Sequence, residues 1–385
     1  MSEFVIVGAS ESERIGTVPD QSAMDLATES ALAALAQAGL RLEDVDGVAG
    51  TLSPVEVAFE LGLRVRWVDG TNVGGCSAIV HVRHAIGAIQ AGLASVVLIV
   101  HGESGRSRIG SPGFAMAPSS LAGQYEIPYG ASGTFTRLTL PAMAYLDRYG
   151  HGEEALAEVP VAQSRWAEQN PRAVRGSRLE VPDVLDSRLI AWPFHVLECC
   201  PLSDGGGAIV VTTAERARDM DLKYPPVIVA GSGEATEGPA PWAMEDLTGY
   251  RAFGRSSSDA LRQADIAHSD IDHLMVYDAY AHLPLYGLEE IGFVGRGEAV
   301  DFIRDGHTIP GGDLPMNTNG GGLLYAHTGM YGMFALQEGI RQLQGRAAAQ
   351  IGDVRTSLVL GIGGMYNAAA AVVLRGENNM KGGVS

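Results

Sequence analysis

ALAQAGLRLEDVD (Ala34–Asp46) and ALRQADIAHSDID (Ala260–Asp272) carry one pattern twice. Each places small and apolar residues at helical spacing, ends on an Asp–aliphatic–Asp step, and runs into an apolar strand, GVAG in one case and HLMVYDAY in the other. A second pair of segments repeats in the same order. Cys76 precedes the helical stretch AIVHVRHAIGAIQAG and the strand SVVLIVHGES, while His327 precedes MYGMFALQEGIRQLQG and the strand TSLVLGIGG. Two strand–helix–strand units, each with a reactive residue near a helix start, predict an α/β fold built from a duplicated unit.

Working outward, the first half is expected to span residues 1–220 and to close on the strand AIVVTT, entered from Gly205–Gly207. The charged, proline-containing stretch ERARDMDLKYPP then leads into PPVIVAGSGEA, which opens a second half over residues 221–375, with a polar tail over 376–385. From about residue 105 to 200 the texture changes to Pro, Arg, Ser, Tyr and Trp around two helical stretches. This reads as a loop domain inserted into the first half and covering the active site.

The 50 glycines suit helices packed closely on a sheet. A net charge of −18 argues against a broad nucleic-acid or anionic-membrane surface. No run is apolar enough to span a bilayer, and the first residues lack a signal-peptide layout. Three cysteines make no disulfide framework, so the expected compartment is a reducing cytoplasm.

Four segments together resemble the thiolase superfamily, in the branch related to the sterol-carrier-protein thiolases. NVGGCSAIVHVRHAI (Asn72–Ile86) is similar to the family's nucleophile turn, and CPLSDGGGAIVV (Cys200–Val211) to the stretch closing the first half. The long run Glu289–Gly329, ending NTNGGGLLYAHTG, resembles the segment leading to the Gly-His-Pro turn and places His327 as that histidine. GIGGMYNAAAAVV (Gly361–Val373) resembles the final Cys-x-Gly-Gly turn and strand. The resemblance implies a thiolase fold: two βαβαβαββ halves, each a mixed five-stranded sheet, in a five-layered αβαβα arrangement with an inserted loop domain. It also implies a homodimer or higher assembly, an acyl-CoA substrate, and a small OB-fold/zinc-ribbon partner protein. No cofactor beyond the CoA thioester and no metal is expected. In the inserted region, Arg137, Arg165, Arg172, Arg175 and Arg178 are the local basic source for CoA phosphates.

The chemistry centres on Cys76 and His327. A thiolate at a helix N-terminus gains from the helix dipole and free N–H groups, and attack on an acyl-CoA carbonyl would leave the acyl group on sulfur. Glycines beside it, Gly75 together with Gly363 and Gly364 of the last turn, free backbone N–H groups for an oxyanion. His327 is then the base or a donor to the thioester oxygen. Tyr280, His282, Asn317 and Tyr325 are candidates to line the substrate. His81 and His84 read as structural, as do the vicinal Cys199 and Cys200.

Departures from the family pattern redirect the reaction. The second catalytic cysteine is Gly361, the proline after the histidine is Thr328, and YDAY puts Tyr277 where the family has Asn or His. Tyr277, Tyr325 and Tyr366 instead fall on or beside the active-site turns, and a tyrosine hydroxyl can donate to an oxyanion or move a proton. Three readings follow. One carries the acyl group on Cys76 with His327 as base. The second is a retro-aldolase that splits a β-hydroxyacyl-CoA with tyrosine and histidine, Cys76 being incidental. The third is a non-catalytic scaffold.

Overall fold

The computed structural model describes residues 3–109, 117–131 and 133–377. The first half runs β1 (Phe4–Glu11), α1 (Ala23–Gln37), β2 (Gly47–Gly50), α2 (Pro54–Glu60), β3 (Trp67–Asp69), α3 (Ser77–Gln90) and β4 (Val97–Ser104). An insertion follows, with α4 (Leu121–Tyr125), α5 (Thr134–Tyr149), α6 (Glu154–Ala167), α7 (Val181–Leu185) and a hairpin of β5 (Leu189–Ala191) and β6 (Phe194–His195). The chain returns through β7 (Asp204–Thr213) and α8 (Ala214–Ala217). The second half comprises β8 (Val227–Ala235), α9 (Arg251–Ala264), β9 (His273–Val276), α10 (His282–Ile291) and α11 (Ala299–Arg304). It finishes with α12 (Gly321–Leu324), α13 (Gly332–Leu343), β10 (Thr356–Gly363) and β11 (Ala368–Gly376). The expected polar tail beyond residue 377 lies outside the described residues.

Strand order shows the duplication directly. The nine strands run β3-β2-β4-β7-β1-β8-β11-β10-β9. Outward from the β1–β8 seam, each wing presents the first, last, penultimate and second strands of its half. The directions match too: β1/β7 and β7/β4 are antiparallel and β4/β2 parallel, just as β8/β11 and β11/β10 are antiparallel and β10/β9 parallel. The seam itself is short, with Val5 opposite Ile228 and Ile6 opposite Val227. Helix α1 packs on β1, β4 and β7, and α9 on β8, β11 and β10, while α3 and α13 touch each other and both wings. The layers are therefore helix, sheet, paired helices, sheet, helix, as the thiolase resemblance implied. One detail differs: among the described residues the second wing has four strands, and the two sheets are hydrogen-bonded into one.

The echoed segments explain how the outer helices seat. A methyl group on Gly8 of β1 would overlap the Ala34 carbonyl of α1, and one on Gly231 of β8 would overlap the Ala260 carbonyl of α9. Ala34 and Ala260 are the first residues of the two repeated stretches, so each half presses helix backbone onto a strand glycine at the same place. Helix α1 is fixed at its start by Ser22, whose Oγ accepts the Asp25 N–H at 3.1 Å while Asp25 accepts the Ser22 N–H at 2.8 Å. Among the described residues no helix is long and apolar enough to cross a membrane.

Candidate active site

Four turns meet between the two wings. Ahead of α3, Gly74 sits at φ +86°, and Ser77 Oγ donates to the Gly74 carbonyl at 2.6 Å and accepts the Val73 N–H at 3.0 Å. This fold-back delivers Cys76 to the start of α3. A side chain on Gly74 would overlap the Gly364 amide, a Cβ on Gly363 would lie 3.1 Å from Cys76 Sγ, and one on Gly361 would lie 2.9 Å from Cys76 Cβ. The nucleophile turn and the last glycine turn are thus in contact, and Cys76 is sealed between them at 0% exposure. Burial, with Glu234 adding repulsion, pushes its thiol up to about 12. Burial thus works against the expected helix-activated thiolate and favours the protonated thiol.

Tyr277 occupies the space beside that turn. A methyl on Gly75 would overlap its ring, so Gly75 serves close packing of Tyr277. The Tyr277 hydroxyl donates to the Gly329 carbonyl and accepts the Tyr331 N–H, both at 3.3 Å. Its ring meets His327 edge-on at 5.4 Å and Tyr331 at 5.7 Å. Burial drives this hydroxyl well above its ordinary value, so it is a neutral phenol.

His327 is held by its backbone, whose N–H donates to Ser203 Oγ at 3.2 Å and whose carbonyl accepts the Ser203 N–H at 3.0 Å. Its Nδ1 accepts the Gly329 N–H at 3.1 Å, while Nε2 is buried without a partner among the described residues. Burial lowers its pKa to about 4. The neutral ring therefore carries its proton on Nε2, which makes His327 a hydrogen-bond donor at rest, one of the two roles considered for it. The next residue, Thr328, shares a 2.7 Å hydrogen bond with the buried His101 of β4.

Tyr366 and His282 form a second polar pair. Tyr366 follows the Gly363–Gly364 turn at φ +65°, and its hydroxyl lies 2.5 Å from His282 Nε2. Both side chains are buried, and Tyr250 Oη donates to the Tyr366 carbonyl at 2.9 Å. Tyr280 shares a 3.1 Å hydrogen bond with Thr134 of the insertion and packs on Phe194.

Two expected lining residues prove to be scaffolding. Asn317 spends its amide on one strand residue, with Nδ2 donating to the Val276 carbonyl at 2.9 Å and Oδ1 accepting the Val276 N–H at 2.8 Å. The Tyr325 hydroxyl donates to Glu11 at 2.5 Å and accepts from Arg172 at 3.2 Å. Most of the insertion arginines are likewise committed internally. Arg137 pairs with Glu126, Arg172 also holds the Ser12 and Glu13 carbonyls, and Arg175 holds the Cys199 and Leu323 carbonyls. Arg178, paired with Glu168, is the more exposed of the set, so the basic source expected for CoA phosphates is largely spent on the fold.

Sequence reasoning passed over Asp278, Asn319 and Tyr331. Asp278 is buried, accepts the Gly322 N–H at 2.6 Å and the Leu323 N–H at 3.2 Å, and is pushed up to about 8 by burial. It ties the turn carrying Tyr277 to the one leading to His327. Asn319 Oδ1 accepts from the Tyr331 hydroxyl and the Gly321 N–H, both at 2.8 Å. A signal was present for two of the three: an acid directly after Tyr277, and an Asn two residues before the helix start of a triple glycine.

With that geometry in hand, comparison with known proteins is decisive. The thiolase C-terminal domain-like family matches residues 233–376. A steroid side-chain-cleaving aldolase of Thermomonospora curvata is 35% identical over 355 residues, covering 88% of this chain and 90% of that protein. The chain belongs to the thiolase superfamily. A 17-hydroxy-3-oxo-4-pregnene-20-carboxyl-CoA lyase of Mycobacterium tuberculosis is 33% identical over 88% of this chain and 91% of its own length. The solved structure of an Ltp2-ChsH2(DUF35) aldolase superposes with a TM-score of 0.90 at 31% identity, covering 98% of this chain and 99% of the other. This member sits in the sterol-carrier-protein-thiolase-like branch and is an enzyme of acyl-CoA carbon–carbon chemistry.

Proposed function

We propose that this enzyme performs a retro-aldol cleavage, splitting a β-hydroxyacyl-CoA into a ketone or aldehyde and a shorter acyl-CoA. The observation that carries this reading is the placement of Tyr277. A neutral phenol stands against Gly75 and edge-on to His327, while the family resemblance puts Gly361 where the second cysteine would be. A Claisen enzyme needs a thiolate to carry the acyl group and a second thiol to make the carbanion. Here one thiol is held protonated and the other is missing. A retro-aldol step needs neither. It needs donors for the thioester oxygen as the enolate forms, and a proton for the α-carbon. The His327 Nε2–H supplies the first and the Tyr277 hydroxyl the second, with Cys76 packed between the turns.

The relatives named as a steroid side-chain-cleaving aldolase and a pregnene-carboxyl-CoA lyase support a sterol-type acyl group. The two-component Ltp2-ChsH2(DUF35) aldolase supports a partner protein of the kind that the family resemblance implies, and a homodimer remains part of the proposal. The reaction calls for no cofactor beyond the CoA thioester. The test supplies 17-hydroxy-3-oxo-4-pregnene-20-carboxyl-CoA, with and without a DUF35 partner, and follows ketone and propionyl-CoA by mass spectrometry. Tyr277→Phe is expected to lose about 10²-fold or more in kcat, and Cys76→Ala to stay within about threefold. A dead Cys76→Ala together with an acyl-enzyme mass would establish the acyl-transfer reading instead.

A further inference from the structure

A retro-aldol cleavage moves two protons, and Tyr277 with His327 accounts only for the enolate end. The β-hydroxyl must also lose its proton. The buried groups nearest the meeting turns are mostly committed. Cys76 is a protonated thiol, both Asp278 oxygens accept backbone N–H groups, His101 is bonded to Thr328, and His327 carries its proton on Nε2. The pair at the last glycine turn is different. Tyr366 Oη and His282 Nε2 share a 2.5 Å hydrogen bond, and His282 Nδ1 is buried with no partner among the described residues. Tyr366 also holds φ +65°, a strained conformation for a bulky residue, and Tyr250 fixes its carbonyl there. Strain retained at a turn that touches Cys76 marks a side chain placed for use.

We propose that Tyr366 and His282 form the second acid–base pair of this site, receiving the proton of the substrate's β-hydroxyl. The inference rests on the retro-aldol reading. In the step, the substrate O–H bond breaks and its proton passes to Tyr366 Oη, while the Tyr366 proton passes to His282 Nε2. The Cα–Cβ bond breaks, Cβ becomes the carbonyl carbon, and the electron pair forms the enolate held by the His327 Nε2–H. The Tyr277 hydroxyl then protonates the α-carbon. The imidazolium and the tyrosinate left behind exchange their proton through solvent after release, so the cycle is neutral. Burial lowers His282 to about 3, which keeps the pair neutral at rest. The imidazolium forms only as the enolate does, and the opposite charge offsets its desolvation.

The two half-reactions separate this role from a structural one. Exchange of the α-protons of propionyl-CoA in D2O involves no β-hydroxyl. The Tyr277 proton leaves to solvent, its oxygen takes the α-proton and the His327 Nε2–H holds the enolate, so the Tyr366–His282 pair has no substrate proton to receive. Tyr366→Phe and His282→Gln are expected to cut cleavage by about 10²-fold or more while exchange stays within about threefold. Parallel loss of both activities, or cleavage that survives in both variants, overturns the assignment. Tyr366→Phe keeps its ring, so it decides the matter if the histidine variant folds poorly. A wild-type enzyme that exchanges propionyl-CoA but cleaves no β-hydroxyacyl-CoA overturns the parent reading, and this one with it. Normal wild-type cleavage with an unaffected pair overturns this one only.

Discussion

At the residue scale, one backbone N–H decides what His327 does. Because Gly329 donates to Nδ1, the neutral ring presents a donor at Nε2, and protonation must break that bond. The linkage sign follows. The unfolded histidine takes a proton below about 6.5, whereas the folded one resists until about 4. His327 therefore does not alter stability above pH 6.5, and it destabilises the fold progressively as pH falls from 6.5 toward 4. The penalty is on the order of 2–3 kcal/mol by pH 4.5. His327→Gln should show a smaller drop in unfolding free energy between pH 7 and 4.5 than wild type, measured by urea titration. It should also lose about 10²-fold in propionyl-CoA exchange at pH 7. An equal acid drop in both proteins would contradict a buried neutral ring. Cys76 shows the reverse lesson. Its turn was legible in the sequence, yet its state was not, since depth of burial depends on Gly361 and Gly363 arriving from the other end of the chain.

At the element scale, the duplication was readable because helix-on-strand packing leaves a local trace. Small residues at helical spacing recur in α1 and α9, and each requires a glycine on the strand beneath it. The equivalence of Gly8 and Gly231 has a faint sequence trace, VIVGAS in β1 against VIVAGS in β8, but one extra residue shifts the second glycine, so the packing is what pairs them. Gly8→Ala and Gly231→Ala should each destabilise by about 1–3 kcal/mol, since the added methyl meets helix backbone that cannot rotate away. Thermal unfolding would check this, and Gly87→Ala on α3, where an added Cβ meets nothing within 4 Å, serves as the control. If Gly231→Ala melts like wild type, the proposed seating of α9 on β8 is wrong. The insertion was the harder element. Its helical stretches could be recognised, but its arginines read as a basic source for CoA phosphates because the carbonyls of Ser12, Glu13 and Leu323 that hold Arg172 and Arg175 lie in other segments.

At the scale of the whole molecule, a buried charge cluster joins parts that sequence order keeps apart. Glu11 ends β1, Arg172 comes from the insertion, and Arg341 lies on α13 of the second half. Arg341 approaches Glu11 at 2.9 Å and Arg172 does so at 3.5 Å, with the Tyr325 hydroxyl donating to the same carboxylate. The Glu11 side chain is only 3% exposed and that of Arg341 14%, so the screening that weakens surface pairs is largely absent. The desolvation cost of such ions is met only while both signs are present. Glu11→Gln keeps the shape and removes the negative charge, leaving Arg341 with Glu338 as its acidic partner, at 3.2 Å. The expected loss is about 3 kcal/mol in urea unfolding, at the lower end for a broken buried pair because Glu338 remains. Tyr325 is two residues from His327, so loosening the cluster should also move the catalytic turn and lower kcat more than it raises KM. Arg172→Gln, at the more exposed end of the cluster, should cost much less on both counts. If Glu11→Gln and Arg172→Gln prove equally mild, the cluster is ornamental to the fold, and the catalytic turn is held by Asp278, Ser203 and the Thr328–His101 bond instead.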